Sequence, residues 1–255
     1  MIDFRHRTIL DCLGGGLLII LTGLALLSLS RLASPTGPMI FTDVSWPNCD
    51  KTVAANYAQY GIVGVSGGLD YQLNPCLITE ARWFTHYGLY VNTGYPGLAD
   101  TKKLSSRPKA CASDDYLCFA YNYGFQATVF DIHYAASLGL AAPLWLLDVE
   151  TDNSWSNNPL LNRASLQGAI DAIKQLSFKP TIGIYSTPDQ WTEITDNWQP
   201  AVPAWLGTGG TTLAVAIRAC HTPSFTAGAI WLAQYTPYLD EDYACQAIPI
   251  WTVGE

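Results

Sequence analysis

The sequence predicts an α/β fold: an incomplete TIM-like (β/α) barrel of about five βα units, followed by strands joined mainly by loops. Three observations predict it. Strand-like apolar runs alternate with segments of helical periodicity along most of the chain, the pattern of a parallel sheet. After a separable N-terminal segment, about 218 of the 255 residues remain, which suits one barrel-sized domain. No glycine-rich phosphate loop follows the first strand, which disfavours a doubly wound open sheet; Gly207-Thr208-Gly209-Gly210-Thr211-Thr212 lacks the lysine of a P-loop.

Met39–Ser45 reads as the first strand and Lys51–Tyr60 as a helix. Gly61–Gly67 is a second strand, Pro75–Tyr87 a helix and Gly88–Thr93 a third strand. A polar loop with Cys111 and Cys118 leads to a long helix over Phe119–Leu138. Ala142–Glu150 is the fourth strand. In the next helix, Leu160–Leu176, Leu166, Ala169, Ile170 and Ile173 recur at i, i+3, i+4 and i+7. Thr181–Ser186 is the fifth strand, and Pro188-Asp189 opens a short helix that runs to Trp198. Ala204–Gly207 and Ile230–Tyr235 are further strands. A last segment, near Tyr243–Ala244 or Ile248–Val253, closes the sheet.

Residues 1–37 stand apart. Arg5, His6 and Arg7 precede an apolar stretch from Ile9 to about Leu29, the pattern of a secretory signal or a signal anchor. Roughly 20 residues is also enough to span a bilayer. Ser28-Leu29-Ser30 puts small residues at −3 and −1 of a cleavage site, so export with cleavage and membrane anchoring both stand. Either way the rest of the chain lies outside the cell. Ser34-Pro35-Thr36-Gly37-Pro38 is a linker, which leaves residues 38–255 as the folded domain.

Without the leader, ten Lys/Arg face nineteen Asp/Glu, a net charge of −9. Clustered basic residues are absent, so nucleic acid is not an expected partner. Nine Trp and fourteen Tyr suit a well-packed secreted domain with aromatic-lined grooves, expected to be a monomer. Setting Cys12 of the leader aside, Cys49, Cys76, Cys111, Cys118, Cys220 and Cys245 remain. An even count in an exported domain suggests three disulfides out of 15 possible connectivities. Pairing by sequence neighbour is expected: Cys49–Cys76, Cys111–Cys118 and Cys220–Cys245. No CxxC is present and the four histidines do not cluster, so neither a metal nor any other cofactor is expected.

The chemistry is expected at the C-terminal ends of the strands. Trp145-Leu146-Leu147-Asp148-Val149-Glu150 is an apolar run closed by two acids at i and i+2, which share one face of a strand. Paired carboxylates with separated pKa values are the apparatus of glycosidic cleavage. A helix-capping aspartate is the plainer reading. The other strand ends supply Asp43-Val44-Ser45-Trp46, Asn92-Thr93-Gly94-Tyr95, Tyr185-Ser186-Thr187 and Gln234-Tyr235, with Asp240-Glu241-Asp242-Tyr243 beyond. Acids, amides and aromatics collect at one end, as a sugar-cleaving groove requires. No Gly-x-Ser-x-Gly elbow exists for a serine hydrolase.

In order and position, Asp43-Val44-Ser45, Asp148-Val149-Glu150, Gly183-Ile184-Tyr185-Ser186 and Trp231-Leu232-Ala233-Gln234-Tyr235 resemble the glycoside hydrolase family 25 muramidases over most of Phe41–Tyr243. Asp43 through Cys49, Gly64 through Gly68, Asn74 through Leu77 and Tyr90 through Gly94 resemble its secreted bacterial, lysozyme-like branch. The resemblance implies an incomplete barrel that cleaves the β-1,4 bond between N-acetylmuramic acid and N-acetylglucosamine. It makes Glu150 the general acid and Asp148 the residue that orients the acetamido group or stabilises the oxocarbenium-like charge. Asp43 becomes a further groove carboxylate, and the last family acid falls on Asp242, with Asp240 as the alternative. Trp46, Asn92, Tyr95, Tyr185, Gln234 and Tyr235 are the expected sugar contacts. The chain departs from the family on the second strand, where Gly64-Val65-Ser66-Gly67-Gly68 carries no acid. A non-catalytic glycan-binding barrel and a hydrolase of another N-acetylhexosamine polymer are the competing functions.

Overall fold

A ring of eight strands organises the molecule. A computed structural model describes residues 39–51, 59–97, 106–177, 179–248 and 251–252. The strands are β1 (Ile40–Val44), β2 (Tyr60–Gly64), β3 (His86–Asn92), β4 (Leu144–Asp148), β5 (Thr181–Ser186), β6 (Ala204–Gly207), β7 (Ile230–Tyr235) and β8 (Asp240–Ala244). β1 through β7 pair in parallel in sequence order; β8 runs antiparallel to both β7 and β1 and closes the barrel. A two-residue β9 (Trp251–Thr252) pairs antiparallel with the start of β3. The helices are α1 (Leu77–Ala81), α2 (Tyr116–Ser137), α3 (Pro159–Leu176), α4 (Pro188–Thr195) and α5 (Leu213–Ala219).

The parallel strands are apolar on both faces, as burial between an interior and a helical layer demands. β4 shows the division. Leu144 and Leu146 point into the barrel with Phe41, Ile62, Trp205 and Leu232, drawn from opposite sides of the ring. Trp145 and Leu147 point outward to Leu166, Ala169, Ile170 and Ile173 of α3 and Ile132 of α2. The period-two rule then places Asp148 on the interior side, above the apolar plug.

The expected order of strands and helices is present, with local differences. β4 stops at Asp148, two residues early, because the Asn153 amide bonds back to the Glu150 carbonyl and turns the chain. The first-expected helix, Lys51–Tyr60, falls mostly on residues outside those described, and Tyr60 itself begins β2. α1 is shorter than expected and Tyr87 belongs to β3, since Phe84 packs against Gly61. α5 was not anticipated, and seven residues suffice to cover β6 and β7 with Ala216 and Ala219. The leader also lies outside the described residues; among these, no helix is long and apolar enough to cross a membrane.

α2 and α3 cross at two glycines. A Cβ on Gly124 would sit 2.0 Å from the Ser165 carbonyl oxygen, and one on Gly168 2.0 Å from that of Tyr121. The two backbones therefore touch. The three expected disulfides are formed, Cys49–Cys76, Cys111–Cys118 and Cys220–Cys245. Their sequence separations are 27, 7 and 25 residues, and closing the two longer loops contributes about 3–4 kcal/mol each in chain-entropy terms.

Candidate active site

Four carboxyl groups converge above the apolar plug, at the C-terminal end of the parallel strands. Register brings them there. Asp43 of β1 lies opposite Asp240 of β8, and Gln234 of β7 opposite Asp242. Asn92 of β3 neighbours Asp148 of β4, which neighbours Tyr185 of β5. Two interior glycines make room for the rings between them. A Cβ on Gly64 would sit 2.7 Å from Tyr90 Cζ, and one on Gly207 2.9 Å from Tyr185 Oη.

Asp148 is buried, and Asn92 Nδ2 donates a hydrogen bond to its Oδ2. Its Oδ1 has no N–H or O–H donor. Glu150, half-buried two residues beyond the strand, stands close enough to Asp148 for the two carboxyls to act on each other. Burial, and then the charge of Glu150, push the Asp148 carboxyl well above the usual range, against the hydrogen bonds of Asn153 and Asn92. Burial and then Asp152 raise Glu150, against Gln190 and Asp148. The two titrate as a unit.

Asp43 receives Gln234 Nε2 on Oδ2 at 3.2 Å, while its Oδ1 is shielded and unpartnered. Burial raises it most, followed by Asp242, Asp240, Asp148 and Glu150. Asp242 is fully buried; Trp205 Nε1 donates to its Oδ1 at 2.5 Å, and Oδ2 lacks a donor. Burial raises Asp242 as well, and the Trp205 hydrogen bond opposes it. Tyr185 donates its hydroxyl to Gln234 Oε1 at 2.8 Å, and burial pushes that phenol upward. The result is a cluster of acids at the strand ends whose burial and mutual repulsion raise their carboxyls together.

The Trp205–Asp242 contact has a measurable consequence. Trp205→Phe removes a hydrogen bond to a carboxylate, worth about 1.5–3 kcal/mol. Asp242 then takes up its proton at higher pH, so the acidic limb of any pH–rate profile moves upward. At pH values just below the new limb the rate falls by roughly tenfold. A profile of unchanged position would contradict the role given to Trp205.

Of the expected sugar contacts, Asn92, Tyr185 and Gln234 reach the carboxyl cluster. Trp46 stands half exposed in the turn after β1, its Nε1 close against Gly68 at the rim. Tyr95 and Tyr235 do not face the groove. Tyr95 is fully buried, edge-on to Tyr123 at 5.5 Å. Bonds from the Tyr95 amide to the Ser154 carbonyl (2.7 Å) and from Ser165 Oγ to the Gly94 carbonyl (2.7 Å) pull that segment onto α2 and α3. Tyr235 follows the inward-facing Gln234, so strand alternation turns it outward, where it packs with Ala216 and donates to Glu241. Tyr90, Trp205 and Gln190 were not singled out from the sequence. Alternation marks the first two, since Tyr90 shares a face with Asn92 and Trp205 with Gly207.

Buried acids also set the pH dependence of stability. Asp131 of α2 is fully buried and its carboxyl is pushed well above the ordinary range by burial and then by Asp70, against the Ser66 hydrogen bond. The folded state thus holds this proton more tightly than the unfolded chain. The associated stability is fully present below about pH 4 and is lost as pH rises through the folded-state value. Asp131→Asn removes that loss, so its Tm gains on that of the wild type as pH rises from 4 to 8. Calorimetric scans of both proteins between pH 4 and pH 8 check this; parallel Tm curves would refute it.

Among the described residues no group of three or more His, Cys, Asp or Glu is arranged to hold a metal ion. Residues 135–207 match the family described as "Lysozyme-like protein 1", a stretch that runs from the end of α2 through β6 and includes Asp148, Glu150 and Trp205. No curated protein matches the sequence. Among solved structures, the fold is similar to the Cpl-1 endolysin, complexed there with a peptidoglycan analogue: TM-score 0.56, 14% identity, covering 83% of this chain and 55% of that one. It is similar to the muramidase from Trichobolus zukalii, with TM-score 0.51, 16% identity and coverage of 82% and 95%. It is also similar to a family 25 glycosyl hydrolase from Bacillus anthracis, with TM-score 0.51, 11% identity and coverage of 82% and 89%. The chain spans about half the length of the endolysin. The architecture is therefore a barrel like that of the glycoside hydrolase family 25 muramidases, and the segment that matches the lysozyme-like family carries Asp148 and Glu150.

Proposed function

We propose that this protein is a muramidase-like glycoside hydrolase that cleaves the β-1,4 bond between N-acetylmuramic acid and N-acetylglucosamine in peptidoglycan. The observation that carries the reading is the convergence of Asp148 and Glu150 at the end of β4 with further acids of β1 and β8, close enough to raise one another. Glu150 is the member that reaches the groove, so it passes the pair's proton to the leaving oxygen as the glycosidic bond breaks. Asp148, behind it, orients the acetamido group or offsets the positive charge that develops on the sugar. Asp43 and Asp242 add negative charge to the same end, where a groove dried by substrate makes it count most. The endolysin's complex with a peptidoglycan analogue favours this polymer over other N-acetylhexosamine chains. Residues 1–37 export or anchor the protein, and residues 38–255 act outside the cell as a monomeric hydrolase.

Incubation with purified peptidoglycan and, in parallel, with chitin tests the substrate class. Soluble fragments are expected from peptidoglycan alone. Release from chitin alone would reassign the substrate.

A further inference from the structure

The Asn92 amide lacks the acceptor that a regular sheet would provide. β2 and β3 pair in parallel up to Gly64 and Tyr90, and the Val65 amide still bonds to the Tyr90 carbonyl at 2.8 Å. In a continued ladder a β2 backbone carbonyl would next accept from the Asn92 amide. The Val65 carbonyl is taken instead by the Asn74 amide at 3.0 Å, because the chain folds back through a bridge between Ser66 and Leu73. The Ser66 hydroxyl fills the gap: its Oγ accepts from Asn92 N at 3.0 Å. With that lone pair used, the hydroxyl hydrogen is directed to Asp131 Oδ2, 3.2 Å away on α2. Ser66 and Asp131 are both fully buried, 65 residues apart in sequence.

We infer that Asp131 and Ser66 are positioning residues of the active site: Asp131 fixes the Ser66 hydroxyl, which fixes the Asn92 main chain, whose side-chain amide holds Asp148 against Glu150. This inference rests on the function proposed above for the Asp148–Glu150 pair. The line of contacts is continuous, from Asp131 Oδ2 through Ser66 Oγ and the Asn92 amide to Asp148 Oδ2. It gives a buried carboxyl on a helix outside the barrel a task at the groove floor. Neither residue touches the sugar. Each acts through Asn92.

The acceptor at position 131, rather than its charge, is what the arrangement needs. Asparagine supplies an oxygen of the same placement, so Asp131→Asn keeps kcat within about threefold. Asp131→Ala and Ser66→Ala leave Asn92 free to shift, and misplacement of a catalytic group by about 1 Å costs up to roughly 100-fold. We expect kcat to fall about 10- to 100-fold in both with KM changed less than about twofold. The decisive readout does not need turnover. Carbon-13 NMR of the side-chain carboxyls follows the titration of Asp148 and Glu150 in the full protein. Loss of the Asn92 hydrogen bond, which holds Asp148 down, moves the pair's titration upward in Ser66→Ala and Asp131→Ala. Asp131→Asn leaves it in place.

Near-UV circular dichroism confirms that each variant is folded. Ser66→Ala removes one oxygen atom and decides the matter if Asp131→Ala does not fold. A folded Ser66→Ala with the wild-type titration of the pair overturns the inference, whatever its activity. If the wild type releases no fragments yet the titration moves as described, the positioning role stands and the muramidase reading falls.

Discussion

Glu150→Gln is expected to reduce fragment release from peptidoglycan by about 10³-fold or more while binding of the polymer persists. Loss of a general acid costs typically 10²–10⁴-fold, and 10³-fold corresponds to about 4 kcal/mol of transition-state stabilisation. Glutamine keeps the size of the side chain but has neither the proton nor the charge. The like-charged neighbour of Asp148 is replaced by a neutral amide. Because the wild-type pair is held at a cost of burial and like charge, the variant should be at least as thermally stable. Activity lost at an equal or higher Tm separates the chemistry from the fold. A variant that retains more than about a tenth of the wild-type rate would remove Glu150 from the role of acid.

Gly124→Ala and Gly168→Ala are expected to carry the largest penalties of an alanine placed at any glycine among the described residues. Each new Cβ would meet a backbone carbonyl oxygen at 2.0 Å, and backbone cannot swing aside as a side chain does. The helices must separate, which opens the packing of Leu166 and Ala169 on the outer face of β4. Overpacking of a filled core costs typically 1–3 kcal/mol, and the rigidity of both partners places these two at about 3 kcal/mol or above. A denaturant titration of either variant checks this. A loss below about 1 kcal/mol would show that the α2–α3 crossing yields easily. The same shift would reach the groove, because Ser165 of α3 holds the Gly94 carbonyl and Asp131 of α2 holds Ser66.

The strands were the most legible part of the sequence, because a buried parallel strand writes itself as an apolar run. Thr181–Ser186, Ala204–Gly207 and Ile230–Tyr235 appear with the expected bounds. Asp43, Asp148 and Glu150 were visible as acids that close apolar runs, and Asp242 as part of an acidic cluster near the end of the chain. Alternation would also have turned Tyr235 away, since Gln234 and Tyr235 cannot both face the groove. Tyr95 was not legible in this way. It lies past the end of β3, where the period-two rule no longer applies and hydrogen bonds to Ser154 and Ser165 decide its direction. Ser66 and Asp131 left no local signal either. One is a small residue in a glycine-rich turn, the other an acid within an otherwise mostly apolar helix, and only the fold brings them together.

The account rests on one bond being cut by one pair of carboxyls. The identity of the sugar at newly formed reducing ends tests that most directly, read by mass spectrometry after borohydride reduction of the fragments released from purified peptidoglycan. The account predicts reduced N-acetylmuramic acid, absent from a parallel digestion with Glu150→Gln. Reduced N-acetylglucosamine would place the cut at the other glycosidic bond. No new reducing ends from the folded, disulfide-bonded protein would make the barrel a glycan-binding module.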